Sequence, residues 1–483
     1  MTQPSLQRTA FWGVLWTALQ SFCVQIIGFA VGVQLARILS PDDYGLVGML
    51  SIFTALAGSF VDCGMGKALV QKQDCSDADY NTVFYYSAVI SIIAYVALYF
   101  SAPLIASFYS RPELILLTRF ISIPLLLSPF NSLLGTMLYK ELKMKKMSQV
   151  SIASALVGGI TGVLSAYMGC GVWSLVYMQL ASATSRVVFN WVACPWFPSW
   201  TFSIESFKKL FGFGSKLLAT GIIGSIFDNL KPLLVGKYYD ASSLGYYTRA
   251  QHYADMPAQT ATGILTNIAF PLLCRFQDNN ELLQVKYRLM IRLNAFVIFP
   301  LVVGLASVAE PCIVVLITDK WLPCALLLQI LCFALMWYPV HALNLSLLLV
   351  TGQTTRYLHL EIVRKSILLI ILIITVPISV AAMCYGAVIS SLLCLGVNTY
   401  YTGKLIQVGF FRQMGDLLPI FLLSLAMGAG VWCLVTFLPL SPVLQLAVGI
   451  PAGAFIYVGS AALFRMPELT EAWQLIRNNL RKS

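Results

Sequence analysis

LARILSPDDYGLVGM, residues 35–49, and VGKYYDASSLGYYTR, residues 235–249, are two copies of one pattern. A shift of 200 superposes Phe11 on Phe211, Arg37 on Lys237 and Gly45 on Gly245. Each copy reads as a long apolar helix, a basic residue, a short polar turn, a glycine and a second long helix. The chain therefore begins twice, and its fold follows from what surrounds each beginning.

Apolar stretches of about 20 residues, long enough to cross a bilayer, recur from end to end. Of the 483 residues, 58% are hydrophobic and 11% charged, with a mean hydropathy of +0.79. The charged share is about half that of an average soluble domain. These numbers exclude an ordinary soluble enzyme and predict an all-α polytopic membrane protein of about fourteen transmembrane helices. The first apolar stretch is too long for a signal peptide, and no small-residue cleavage site follows it.

Lysine and arginine alternate between loops. Lys67 and Lys72, the run Lys140 to Lys146, Lys208 and Lys209, Arg356 and Lys404 fall on one side, together with both termini. The opposite side has little beyond Arg37, Arg111, Lys237 and Lys320. By the positive-inside rule the first set, and both termini, are cytoplasmic. Topology thus accounts for the net charge of +11, and nucleic acid is not an expected partner.

The repeat continues past its first helices. Pro129 and Pro339 read as counterparts at an offset of 210, and GCGVWSLV from Gly169 matches CYGAVISS from Cys384 at 215. Two six-helix lobes in parallel pseudo-repeat are expected at 1–200 and 201–412, followed by two helices at 413–464. From Pro467, Leu469, Trp473, Ile476 and Leu480 share one helical face, so 465–483 reads as a cytoplasmic amphipathic tail. A repeat about an axis along the membrane normal suits a transporter whose substrate site lies between two rocking halves.

Buried charge marks the site. The seventh span carries Lys216, Thr220, Gly224, Phe227 and Lys231 within an arc of about 80°, with Asp228 beside it. The eighth carries His252, Asp255, Gln259, Gly263 and Thr266 on one stripe, with Arg249 at its edge. Charges inside a span are costly and mark function by default. Lys216, Lys231 and Arg249 are candidate donors to phosphate or pyrophosphate, with Arg119 and Arg186 completing a cationic lining from the other lobe. Asp228 and Asp255 are the candidates for ion coupling. Each also has a plainer reading: Lys216 and Arg249 snorkel to headgroups, and Asp228 pairs with Lys231. Twelve cysteines are scattered without a CxxC pair or a Cys/His cluster, so neither a metal site nor a cofactor is expected.

LARILSPDDYGLVGM, DCGMGKALVQKQD from Asp62, VFYYS from Val83, IASFY from Ile105, GCGVWSLV and the basic KELKMKK together resemble the polysaccharide transporter family. The likeness is to colanic-acid and O-antigen flippases of the multidrug/oligosaccharidyl-lipid/polysaccharide exporter superfamily. It is densest over Arg8 to Trp191. The resemblance implies a bacterial inner-membrane protein that moves undecaprenyl-pyrophosphate-linked oligosaccharide to the outer leaflet. It implies membrane lipids, a polysaccharide polymerase and glycosyltransferases as neighbours in the pathway. Three other readings share some of these features. A lipid II flippase has a basic cavity and fourteen helices. A multidrug exporter would use buried carboxylates for cationic drugs. A membrane-embedded polymerase or ligase would need a large outer loop, and the outer loops here are about ten residues or fewer. No GxxxxGK[ST] motif is present, so the chain does not itself hydrolyse ATP by a P-loop.

Overall fold

The computed structural model describes residues 6–471. Among them the fold is all-helical. The helices are α1 (Leu6–Ile38), α2 (Pro41–Asp62), α3 (Met65–Gln71), α4 (Asp77–Tyr109), α5 (Leu114–Ile121), α6 (Ile123–Lys140), α7 (Met144–Tyr167), α8 (Trp173–Ala193) and α9 (Ile204–Tyr238). They continue as α10 (Ala241–Cys274), α11 (Asn280–Ser307), α12 (Ala309–Ile317), α13 (Pro323–Leu335), α14 (Tyr338–Val350), α15 (Thr354–Thr375), α16 (Val380–Ile406), α17 (Phe410–Phe437) and α18 (Pro442–Leu463).

Eleven segments among the described residues are long and apolar enough to cross a membrane, which makes this a multi-pass protein. Helices α8, α10 and α15 stand where three further spans are expected but fall outside that set. Their interiors are more polar: α10 holds Arg249 and Asp255, and α15 holds Arg356, Glu361, Arg364 and Lys365. The amphipathic face expected in the tail lies mostly beyond Glu471, outside the described residues; residues 467–471 are helical.

The repeat is visible in how helices start. Ser40 caps α2, accepting from the Asp43 backbone N–H while the Asp43 carboxylate returns to the Ser40 N–H. At the start of α10 the same two roles are exchanged: Asp240 caps, accepting from the Ser243 N–H at 2.9 Å. The Ser243 hydroxyl and N–H hold the Asp240 carboxyl below the usual carboxylate range, with burial opposing them. Either residue satisfies the orphan donors of a helix N-terminus, so the repeat tolerates the exchange.

Proline interrupts both halves at equivalent points. Pro124 opens α6 after a break at Ser122, and Pro339 opens α14 after a break at Trp337. Their offset is 215, the same as for GCGVWSLV. Pro129 sits inside α6, so the counterpart of Pro339 is Pro124, not Pro129. A proline is tolerated in a first turn because the N–H it lacks has no helical partner there.

By packing, the chain divides into two compact units, one ending at Gly245 and the other beginning at Tyr246. In the first, α7 packs on α8 and α1 through small residues; a Cβ on Gly158 would lie 2.7 Å from Ser182 and one on Gly159 2.5 Å from Val31. Helix α9, which the sequence repeat puts at the head of the second lobe, packs on α2, α3 and α4. Ser225 of α9 meets Ser59 of α2 at 2.7 Å. Lys237 donates to the Phe108 carbonyl and lies 4.3 Å from that ring. In the second unit α11 is the hub, touching α13, α14, α16 and α17. Lipid is as apolar as leucine, so these packed small residues and polar bonds, rather than a hydrophobic drive, hold helices together.

Candidate functional site

Helix α9 is continuous from Ile204 to Tyr238, and this fixes the spacing of its charges. Lys216 and Lys231 lie fifteen residues apart, about 22 Å along the axis. Two lysine side chains cannot close that gap onto one pyrophosphate. Lys216 and Asp228 are exposed, whereas Lys231, one residue before Pro232, is half-buried. Helix α9 thus presents two separate cationic positions with a carboxylate between them.

Two arginines of the same unit differ in setting. Arg119 ends α5 and is half-buried, its guanidinium 4.2 Å from the centre of the Tyr99 ring. Its Nε is buried and makes no hydrogen bond among the described residues. A buried donor without a partner costs about 1–3 kcal/mol, and an anionic ligand would relieve that cost. Arg186, on α8, is exposed and has no such strain.

In the second unit Arg249 is half-buried on α10. Asp255 belongs to a relay on one face of that helix. The Tyr247 hydroxyl donates to Gln251 Oε1 at 3.0 Å, and Gln251 Nε2 donates to Asp255 Oδ2 at 2.9 Å. The spacing of four residues puts the three side chains above one another. The relay orients Asp255 and leaves its second oxygen to other contacts. His252 lies outside it and is exposed.

A second polar group was not anticipated from the sequence. The Asn344 amide of α14 donates to Gln413 Oε1 at 3.1 Å, and the Gln413 amide returns to Asn344 Oδ1 at 3.2 Å. The Thr402 hydroxyl of α16 donates to the same Asn344 oxygen. One turn earlier on α14, His341 Nδ1 accepts from Asn398 Nδ2 of α16 at 2.9 Å. That leaves His341 Nε2 as the protonated nitrogen, 3.0 Å from the Ser391 hydroxyl, which donates to the Ala334 carbonyl. All five of His341, Asn344, Asn398, Thr402 and Gln413 are buried. The signal was present as an amide or imidazole inside each apolar run. Neutral polar residues inside an apolar run are a weaker signal than the charges of α9 and α10.

No group of three or more His, Cys, Asp or Glu that could hold a metal ion occurs among the described residues. The cysteines are free thiols, Cys312 and Cys324 included.

Comparison with known proteins agrees with this architecture. A family model described as "Polysaccharide biosynthesis protein" matches residues 34–326. Teichuronic acid biosynthesis protein TuaB of Bacillus subtilis (strain 168) is 26% identical over 463 residues, covering 94% of this chain and 95% of that protein. Lipopolysaccharide biosynthesis protein WzxC of Escherichia coli (strain K12) is 25% identical over 334 residues, covering 68% and 67%. Among solved structures, the lipid II flippase MurJ in an inward closed conformation superposes with a TM-score of 0.74 at 14% identity, covering 94% of this chain and 99% of that one. That likeness is one of fold.

Proposed function

The chain belongs to the polysaccharide biosynthesis protein family, and from that premise we propose that it is a flippase for undecaprenyl-pyrophosphate-linked oligosaccharide. It carries the lipid-linked glycan from the cytoplasmic to the outer leaflet of a bacterial inner membrane by alternating access, for surface polysaccharide assembly. Fourteen spans, cytoplasmic termini, and lobes at 1–200 and 201–412 with two added helices belong to this reading. Its relatives are named for polysaccharide biosynthesis, which supports the glycan as cargo.

The observation that carries the proposal is the spacing on α9. A sugar and two phosphates cannot cross hydrocarbon without a hydrated, cationic route. Lys216 and Lys231 supply cationic positions about 22 Å apart, roughly three-quarters of the ~30 Å hydrocarbon core. They act as successive stations for the pyrophosphate, one towards each leaflet, rather than as a single clamp. Arg119, with a donor open in a buried setting, is a third anion contact of that unit; Arg186 in the same unit and Arg249 in the second are further candidate contacts for the pyrophosphate. Asp228 and Asp255 are the ion-coupling carboxylates. The chain's own chemistry is binding and release, with no bond made or broken.

The test is cellular. Lys231→Gln at normal membrane level should accumulate lipid-linked oligosaccharide on the cytoplasmic leaflet and sharply lower surface polysaccharide. Normal polysaccharide from chains lacking Lys216, Lys231 and Arg119 together would defeat the proposal.

A further inference from the structure

The second unit has a cavity of about 630 Å³ that the flippase reading does not use. Arg292 of α11, Asp416 of α17 and Glu468, just past α18, line it with Ile420, Leu423 and Phe464. It lies just past the last turn of α18, against the fourth turn of α11 at Arg292 and the second to fifth turns of α17 from Asp416 to Ala426. Its charged end, at Arg292, Asp416 and Glu468, suits a lipid headgroup, and its apolar wall runs on along α17.

Its charges are unequally engaged. Asp416 is closed off by Arg288, which donates from Nε at 2.7 Å and Nη2 at 2.6 Å. Arg292 and Glu468 are only loosely paired, Nη1 to Oε1 at 3.4 Å. A settled guanidinium–carboxylate bond is about 2.7–2.9 Å. The Glu468 side chain is 4% exposed. Its Oε2 and the Arg292 Nε are buried and make no hydrogen bond among the described residues. The cavity therefore offers one open cationic donor and one open carboxylate acceptor, above apolar walls.

We infer that this cavity binds an aminophospholipid of the surrounding membrane, a lipid with a phosphate and an ammonium that bears at least one N–H. The phosphate accepts from Arg292 Nε. The ammonium donates to Glu468 Oε2. The acyl chains lie along Ile420, Leu423 and Phe464. A purely anionic headgroup would face Glu468 without compensation, and a simple cation would face Arg292; a zwitterion satisfies both. A choline headgroup carries the same charges but has no N–H to donate, so the site discriminates against it.

Native mass spectrometry of the full chain, delipidated and re-equilibrated with an equimolar mixture of synthetic lipids, tests this. The mixture holds phosphatidylethanolamine, its N-methyl and N,N-dimethyl forms, phosphatidylcholine and phosphatidylglycerol. The wild-type chain should retain the three lipids bearing N–H about ten-fold over phosphatidylcholine and phosphatidylglycerol. Glu468→Gln should bring phosphatidylethanolamine and phosphatidylcholine to parity, and Arg292→Gln should lower retention of all of them about ten-fold. The wild-type comparison needs no variant to fold. Equal retention across the methylation series, preference for phosphatidylglycerol, or retention of no phospholipid would overturn the assignment.

Discussion

Gly45 lies against the backbone carbonyl of Ala241, so closely that a Cβ on Gly45 would fall 1.7 Å from that oxygen. The contact is reciprocal: a Cβ on Gly245 would fall 2.0 Å from the Pro41 carbonyl oxygen. Residues 41 and 241, and 45 and 245, correspond under the shift of 200, so the two turns exchange the same contact. Each glycine is therefore required by a backbone approach and not by a turn of its own.

Alanine at either position should damage the fold rather than the chemistry. Backbone cannot yield as a flexible side chain can, so Gly45→Ala or Gly245→Ala should cost at least about 1–3 kcal/mol. Thermal unfolding in detergent, or the amount of folded protein in membranes, reads this directly. Wild-type stability in both variants would remove the reciprocal contact from the account.

The exchanged caps make a finer prediction. Asp240→Ala should destabilise the start of α10 by about 1 kcal/mol, and Asp240→Asn by less, since asparagine still caps. The sign with pH follows from the lowered carboxyl. Asp240 contributes fully above its unfolded pKa of about 3.9, and the contribution is lost as pH falls through the lower folded value. Acid unfolding of wild type and Asp240→Asn should therefore converge at low pH; a constant gap between them would contradict the assignment.

The amide pair of the second unit should behave as a unit. Asn344→Ala leaves Gln413 Oε1 without its donor in a buried site and should cost about 1–3 kcal/mol. Gln413→Ala should cost a similar amount, and the double variant less than the sum, because each single change already breaks both bonds. Additive losses in a double-mutant cycle would mean that the two amides do not depend on each other.

Much of this architecture was legible in residue order. Helix positions, the repeat and the start of each copy follow from apolar length and from the turns around Gly45 and Gly245. Caps hid the repeat locally, since Ser40 and Asp240 do one job with different residues. An offset of 210 pairs Pro129 with Pro339, whereas the structure pairs Pro124 with it, because spacing alone does not say which proline opens a helix. For the site, the residues on α9 and α10 were legible as costly charges. Lys216 and Lys231 share a face, as their spacing implies, but a face is not a point: the rise per residue separates them. Long-range partners such as Gln413 for Asn344 and Glu468 for Arg292 leave no mark in sequence, because nothing local requires them.

Ion coupling gives a fourth prediction. Asp255 is oriented by Gln251 and Tyr247, whereas Asp228 is exposed on α9. If both couple transport to protons or sodium, Asp228→Asn with Asp255→Asn should abolish the response of transport to an imposed ion gradient. Tyr247→Phe should weaken it by loosening the relay. An unchanged ion response in the double variant would dismiss both carboxylates.

The central claim is movement of lipid-linked glycan past Lys216 and Lys231. Proteoliposomes carrying the purified chain and undecaprenyl-pyrophosphate-linked oligosaccharide on one leaflet allow it to be timed, by the fraction of glycan that becomes accessible on the other. Wild type should move it far faster than protein-free liposomes. Lys216→Gln and Lys231→Gln should each slow the transfer by roughly ten- to a hundred-fold, the loss of one charge-assisted phosphate contact. Transfer no faster than in empty liposomes, or unslowed by either substitution, would contradict the account.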